Sequence, residues 1–287
     1  MTVIEADGLA RRFGRCEAVG SLTLRVKAGE ALCLLGPSGA GKSAALRMLA
    51  GRLRPEGGAA RIGGEEARRG AAGYLPQSLP RSLRGTAGQL LRRAAQRAAD
   101  PDAAQRRAAA LAQSLSIDES AQFAHMAPCA RKLLAAAAAL APDLPAYLLD
   151  DPFTGLAPQA IDALAAVLAA EKARGKAMVL ASRWFETAAL CCEHAVLLRA
   201  GHAGSQQRVE ALRAAGRQVV WFTFASERAA VLFAGGLAGA VRTGARVRCE
   251  SKGAPDALLK RAALYPVAGV YVANESLEKR FPAFYGV

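Results

Sequence analysis

Ala31-Leu32-Cys33-Leu34-Leu35-Gly36-Pro37-Ser38-Gly39-Ala40-Gly41-Lys42-Ser43-Ala44-Ala45-Leu46-Arg47-Met48-Leu49 holds an apolar run, an unbroken Gly-x-x-x-x-Gly-Lys-Ser segment and a helix-forming run, in that order. The order predicts strand, phosphate-cradling loop and helix. Glycines at 36, 39 and 41 let the backbone turn so that successive N–H groups face one concavity. The helix that begins there brings its partial positive end to the same place. Lys42 has the reach for β- and γ-phosphates, and the Ser43 hydroxyl can ligate Mg²⁺. A nucleoside triphosphate is the ligand this arrangement predicts.

Outward from that stretch, Val3–Ala6 and Ser21–Val26 alternate like strands of a half-exposed antiparallel sheet. Ala59–Gly64 reads as a further strand and turn, and Ala72–Gln77 as a strand ending at a proline. From about Ala87 to Ser116 the chain is rich in Ala, Leu, Arg and Gln, broken at Pro101-Asp102, which predicts a helical insert. Arg131–Leu140 and Ile161–Glu171 read as helices. Ala146–Asp151, Ala177–Ser182 and Ala195–Leu198 read as strands, the first ending in two acids. Strands alternating with helices imply a parallel sheet, with the ligand at the strands' carboxyl ends. After about Gly216 the texture changes. Strands at Val219–Phe224, Ala245–Glu250 and Val267–Val272 alternate with helices at Ser226–Phe233, Pro255–Leu264 and Ser276–Tyr285. The expected organisation is an α/β nucleotide-binding domain over residues 1–215, with its helical insert at about 87–140, and a small α+β domain over 216–287.

The chain has 287 residues, of which 52% are hydrophobic, enough for a sizeable core. No apolar stretch approaches the ~18 residues of a membrane span. Met1–Asp7 lacks the basic and apolar blocks of a signal peptide. The six cysteines, at 16, 33, 129, 191, 192 and 249, form no Cys-x-x-Cys pair. Adjacent Cys191 and Cys192 are poorly placed to bridge each other, so reduced thiols in a cytosolic protein are expected. The net charge of +14 comes largely from arginines spread along the whole length. Spread in this way, they predict solvated faces with mild attraction to anionic headgroups, rather than a specific nucleic-acid site.

With these residues in view, the chain resembles the nucleotide-binding subunit of an ATP-binding-cassette (ABC) transporter over nearly its whole length. The residues from Gly36 through Pro37, Ser38, Gly39, Ala40, Gly41 and Lys42 to Ser43 match the Walker A loop. Phe13 falls where the family places an aromatic that stacks on adenine. Gln77, after Tyr74-Leu75-Pro76, falls at the loop that senses the γ-phosphate and Mg²⁺ and contacts the membrane subunit. Leu148-Leu149-Asp150-Asp151-Pro152 falls at Walker B, which gives Asp150 to Mg²⁺ and Asp151 to the catalytic position. The tail, closing with Ser276–Phe281, is similar to that of ATPases serving drug and polysaccharide exporters. The resemblance implies a P-loop cassette with parallel core sheet, antiparallel β subdomain and helical subdomain. It also implies ATP and Mg²⁺ as ligands, and a membrane permease and a second ABC ATPase chain as partners, with an asymmetric pair favoured. The implied location is cytoplasmic, at the inner face of the membrane.

Four family elements are altered. The catalytic glutamate is Asp151, whose carboxylate reaches roughly 1.3–1.5 Å less far; misplacement on that scale can cost about a hundredfold in rate. The switch histidine falls on Trp184, which can donate one hydrogen bond but take up no proton. Met126-Ala127-Pro128-Cys129-Ala130 stands where the family has Leu-Ser-Gly-Gly-Gln, so a hydroxyl, an N–H and two glycines are lost. Ala157 replaces the aspartate that ends the inter-subunit loop. The expectation is a chain that keeps MgATP binding and turns it over poorly. A soluble cassette acting on nucleic acid or ribosomes is the alternative suggested by charge. A metabolic kinase on the same loop is opposed by the Gln77 and Asp150-Asp151 order.

Overall fold

The computed structural model describes residues 1–79, 83–273 and 277–285. The chain divides into two compact units, Met1–Gln206 and Gln207–Val287.

In the first unit, β1 (Thr2–Phe13) and β2 (Cys16–Lys27) form a long antiparallel pair, and β4 (Gly57–Ile62) and β5 (Glu65–Glu66) extend it in the order β2-β1-β4-β5. β1 is three times the length of the alternating segment seen in the sequence. Register shifts against β2 between Ala6 and Leu9, and again up to Arg12, interrupt its two-residue period.

The second sheet is built from β3 (Ala31–Leu35), β6 (Gly73–Leu75), β7 (Ala146–Asp150), β8 (Ala177–Ser182), β9 (His194–Arg199) and β10 (His202–Ala203), in the order β10-β9-β3-β8-β7-β6. All but the β10–β9 pair are parallel. β3, β7 and β8 are buried along their full length, which explains their unbroken apolar runs: a parallel strand covered on both faces has no polar side to alternate. Helix α1 (Lys42–Leu49) turns Ala45, Leu46, Met48 and Leu49 into the core shared by the two sheets.

The insert consists of α2 (Ala87–Ala95), α3 (Pro101–Ser114), a 3₁₀ turn (Phe123–His125) and α4 (Pro128–Leu140). Thr86 caps α2 in a reciprocal box with Gln89, and Asp100 caps α3 ahead of Pro101, so the Pro-Asp break begins a helix. The helices of the first unit are completed by α5 (Pro158–Ala173) and α6 (Phe185–Cys191). All six cysteines are free. Burial pushes the Cys191 thiol up to about 12, which keeps it protonated.

The second unit holds β11 (Gln207–Arg208), α7 (Val209–Ala215), β12 (Arg217–Phe224), α8 (Glu227–Ala234), β13 (Val241–Thr243), β14 (Arg246–Lys252), α9 (Asp256–Ala262), β15 (Val267–Ala273), α10 (Leu277–Arg280) and α11 (Pro282–Tyr285). Its antiparallel sheet runs β13-β14-β12-β15. Phe222, Phe224 and Phe233 make mutual ring contacts at 4.8–6.2 Å in its core. The single closing helix expected over 276–285 is instead two short ones. Pro282, which has no N–H to donate, opens the second. Ser276 lies outside the described residues. No helix among the described residues is long and apolar enough to cross a membrane.

Candidate functional site

Four adjacent parallel strands deliver the site. β3, β8, β7 and β6 end at Leu35, Ser182, Asp150 and Leu75. Pairing of Leu35 with Ser182, Asp150 with Ala181 and Leu75 with Leu149 sets those ends side by side. The segments leaving them converge on a cavity of about 450 Å³, lined by residues 38–44 with Gln77, Lys132, Asp150, Asp151, Thr154 and Arg183.

The loop's shape is dictated at two glycines. A Cβ on Gly36 would lie 2.6 Å from the Leu198 carbonyl oxygen, and Gly36 N–H donates to Ser182 O at 3.2 Å. Gly41 has φ +102°, and a Cβ there would collide with the Ala18 carbonyl. Lys42 bends back over the loop, where Nζ donates to Gly36 O at 2.6 Å and Pro37 O at 2.7 Å. Gly36 and Pro37 therefore anchor the lysine through their carbonyls, while Ser38, Gly39, Ala40, Gly41, Lys42 and Ser43 line the cavity. Burial holds the Lys42 ammonium below its ordinary pKa, partly offset by Asp150 and Asp151; Arg183 lowers it further.

Asp150 is 2% exposed. Burial raises its carboxyl above the usual carboxylate range, while a hydrogen bond from Ser43 opposes that shift. Its Oδ2 is buried and makes no hydrogen bond. A buried, unsatisfied carboxylate oxygen is costly without a partner. The Ser43 hydroxyl and this oxygen are hard oxygen donors of the kind that would hold Mg²⁺. No group of three His, Cys, Asp or Glu that could hold a metal ion gathers among the described residues. Gln77 lines the same cavity.

Asp151 takes an unusual backbone conformation, φ +55°, just past β7. Its Oδ1 accepts a hydrogen bond from Thr154 Oγ1 at 2.7 Å. Lys132, in the second turn of α4, donates to Asp151 O at 2.9 Å and Thr154 O at 2.6 Å. Lys132, Thr154 and Arg183 are site residues that the sequence reading missed. Lys132 lies four residues into α4 beyond Pro128 and has the pattern of an ordinary helical lysine. Thr154 reads as a loop residue. Arg183 was one step from the position read as the switch.

That step is a correction. β8 ends at Ser182, whose hydroxyl accepts from Trp184 N at 3.0 Å and donates to Thr187 Oγ1 at 2.9 Å. The turn makes Trp184 the N-cap of α6. Arg183, not Trp184, is the side chain that lines the phosphate cavity. Phe13 closes β1, is 50% exposed, and carries the Arg11 guanidinium 5.3 Å from its ring centre.

The profile of the family described as ABC transporter matches residues 19–154. A Nod factor export ATP-binding protein I of Paraburkholderia xenovorans is 31% identical over 210 residues, covering 69% of this chain and 68% of that protein. The chain belongs to the ABC transporter ATP-binding family. An ABC transporter ATP-binding protein of Streptomyces avermitilis is 33% identical over 213 residues, which span 70% of this chain but only 37% of that longer relative. A solved ATP-binding subunit of an ABC transporter matches with a TM-score of 0.67 at 26% identity, covering 74% of this chain and 92% of that one.

Within this ABC cassette the Met126–Ala130 segment has a local structural account. Ala127 occupies the N-cap of α4 without a side-chain hydrogen bond, and Pro128 takes the first helical position. Proline fits there because that N–H has no intrahelical partner. Ala127 therefore offers no side-chain donor, and Pro128 no N–H, at the start of α4. Ala157 likewise caps α5 without a side-chain bond, ahead of Pro158.

Proposed function

We propose that this chain is the ATP-binding subunit of an export-type ABC transporter, that it binds MgATP at a dimer interface, and that its own hydrolysis is slow. The observation that carries the reading is a split within one cavity. The phosphate cradle, Lys42, Ser43 and the unsatisfied Asp150 oxygen are in place, while the Asp151 carboxylate is engaged by Thr154. When bound, Mg²⁺ and the triphosphate supply the charge that the cradle is built to hold. Lys42 and the loop N–H groups grip and orient phosphate oxygens. Asp150 and Ser43 hold the metal. Asp151, shortened and hydrogen-bonded, is poorly placed to take a proton from water.

The export assignment draws on the relative named for Nod factor export and on the similarity of the tail. Gln77 and the insert would meet a membrane permease, which places the chain at the cytoplasmic face of the membrane. A second cassette would close the nucleotide site. An asymmetric pair suits this chain, because two copies would bring two signature segments lacking their serine and glycines.

The test is parallel measurement of MgATP binding and phosphate release by the purified chain. Saturable binding is expected, with turnover at least about a hundredfold below the ~10 s⁻¹ of a typical enzyme. Asp151→Glu is expected to change that turnover by less than about tenfold, because the transition-state donors of the signature remain missing. Brisk turnover by the unmodified chain, or strong rescue by this one substitution, would overturn the slow-site reading.

A further inference from the structure

The sheet of the second unit brings together residues that lie far apart in the sequence. Its helices α8 and α9 pack on one face, against Val220, Phe222, Phe224 and Val247. Successive residues of a strand point to opposite faces, so Trp221, Thr223, Arg246 and Arg248 belong to the other face. Pairing sets Trp221 between Arg248 and Tyr271, with Thr223 beside Arg246 in the next row. At the start of β12, where Gly216 approaches Phe281, the nearby Val219 is buried. Beyond it the face opens: Trp221, in a central strand, is 37% exposed, and Tyr271 is 63% exposed.

The chemistry of this face is aromatic and cationic. Neither ring contacts another aromatic ring, and Arg246 makes no hydrogen bond or ion pair, among the described residues. The same pairing puts Arg217 and Lys252 on this face with a single acid, Glu250, which accepts from Arg248 at 2.8 Å. Cations in that excess call for a polyanion. A second copy of the sheet laid face to face would oppose arginine with arginine. Two rings at neighbouring positions call for planar groups to stack on them, and arginines beside them for phosphate. A single-stranded nucleic acid carries both. In a duplex the bases stack on one another and cannot lie on a protein ring. We propose that the open face of this sheet binds single-stranded nucleic acid, with bases stacked on Trp221 and Tyr271 and phosphates on Arg246 and Arg248. The site uses no residue of the phosphate cavity, so it stands or falls apart from the MgATP reading.

Fluorescence anisotropy of a labelled oligouridine of about ten nucleotides, titrated with the full chain in low salt and saturating MgATP, tests this. Saturable binding is expected, weakening steeply as salt is raised. Trp221→Ala and Tyr271→Ala are each expected to weaken it roughly tenfold, the loss of one stacked base. Arg246→Gln is expected to make the logarithmic salt slope shallower by about 0.7, the loss of one phosphate contact. Trp221→Phe is expected to stay within about threefold of wild type, because a ring remains to stack on. Oligouridine is also expected to quench tryptophan emission in wild type and much less in Trp221→Phe. Absence of binding, equal affinity for a duplex of the same length, or displacement of the oligonucleotide by MgATP would overturn the assignment. So would Trp221→Ala and Tyr271→Ala binding as wild type does, the result expected of a surface that recognises charge alone. Heparin, a polyanion without bases, and vesicles of anionic lipid are the comparison ligands. Affinity for either that falls with the aromatic substitutions as the oligonucleotide's does would also overturn it.

Discussion

Lys42→Ala is expected to remove measurable nucleotide binding at micromolar concentrations, a loss of at least ~100-fold, while the chain remains folded. Two effects act together. The variant lacks the one ammonium that the loop itself positions, with Nζ 2.6 and 2.7 Å from the Gly36 and Pro37 carbonyl oxygens. Those two carbonyls also lose their donor, so the backbone that presents the loop N–H groups is less constrained. Lys42→Arg is not expected to rescue binding, since a planar fork cannot replace a compact ammonium in a site already shaped by Gly36 and Gly41. Binding by Lys42→Ala within threefold of wild type would remove the basis for a phosphate site here.

The largest stability effect is expected at Glu171. This residue is 4% exposed, on α5. It forms an ion pair with Arg107 of α3 and another with Arg174 at 3.1 Å. Arg107 also donates through Nε to Leu140 O at 3.0 Å, at the end of α4. Removing one member of a buried ion pair costs about 3–5 kcal/mol, because its partner stays desolvated. Asp143, 3.8 Å from Arg107, softens this, so about 3 kcal/mol is expected for Glu171→Ala. For a unit of this size that corresponds to a drop of roughly 6–12 °C in thermal midpoint. The double change Arg107→Met with Glu171→Leu is expected to recover most of the loss, since an apolar pair of similar volume incurs no charge-burial penalty. Scanning calorimetry decides it; a drop below about 2 °C for the single change would show the pair to be energetically idle.

The core of the fold is legible where burial enforces a simple pattern. Ala31–Leu35, Ala146–Asp150 and Ala177–Ser182 are short unbroken apolar runs, and each is a strand covered on both faces. β1 was only partly legible because shifts in register hide its alternation. The loop and Asp150 were legible because that glycine spacing, and an acid closing an apolar strand, rarely arise where no phosphate or cation has to be held. Lys132 was not, because nothing local distinguishes a lysine that reaches 19 and 22 residues along the chain from one that reaches solvent. The confusion of Trp184 with Arg183 has a geometric origin. Which of two neighbouring side chains enters a cavity depends on how the turn leaves the strand, and Ser182 decides that through bonds to Trp184 and Thr187.

Lys132 also sets a mechanical condition. Its ammonium joins the start of α4, the helix that begins at Pro128, to both ends of the segment from Asp151 to Thr154. That joint behaves as a pivot pin. Rotation of the inserted helices must either swing the stretch after Asp150 along with them or break two charge-assisted bonds at once, so displacement at one end of the cassette arrives at the other as a step rather than a gradual drift.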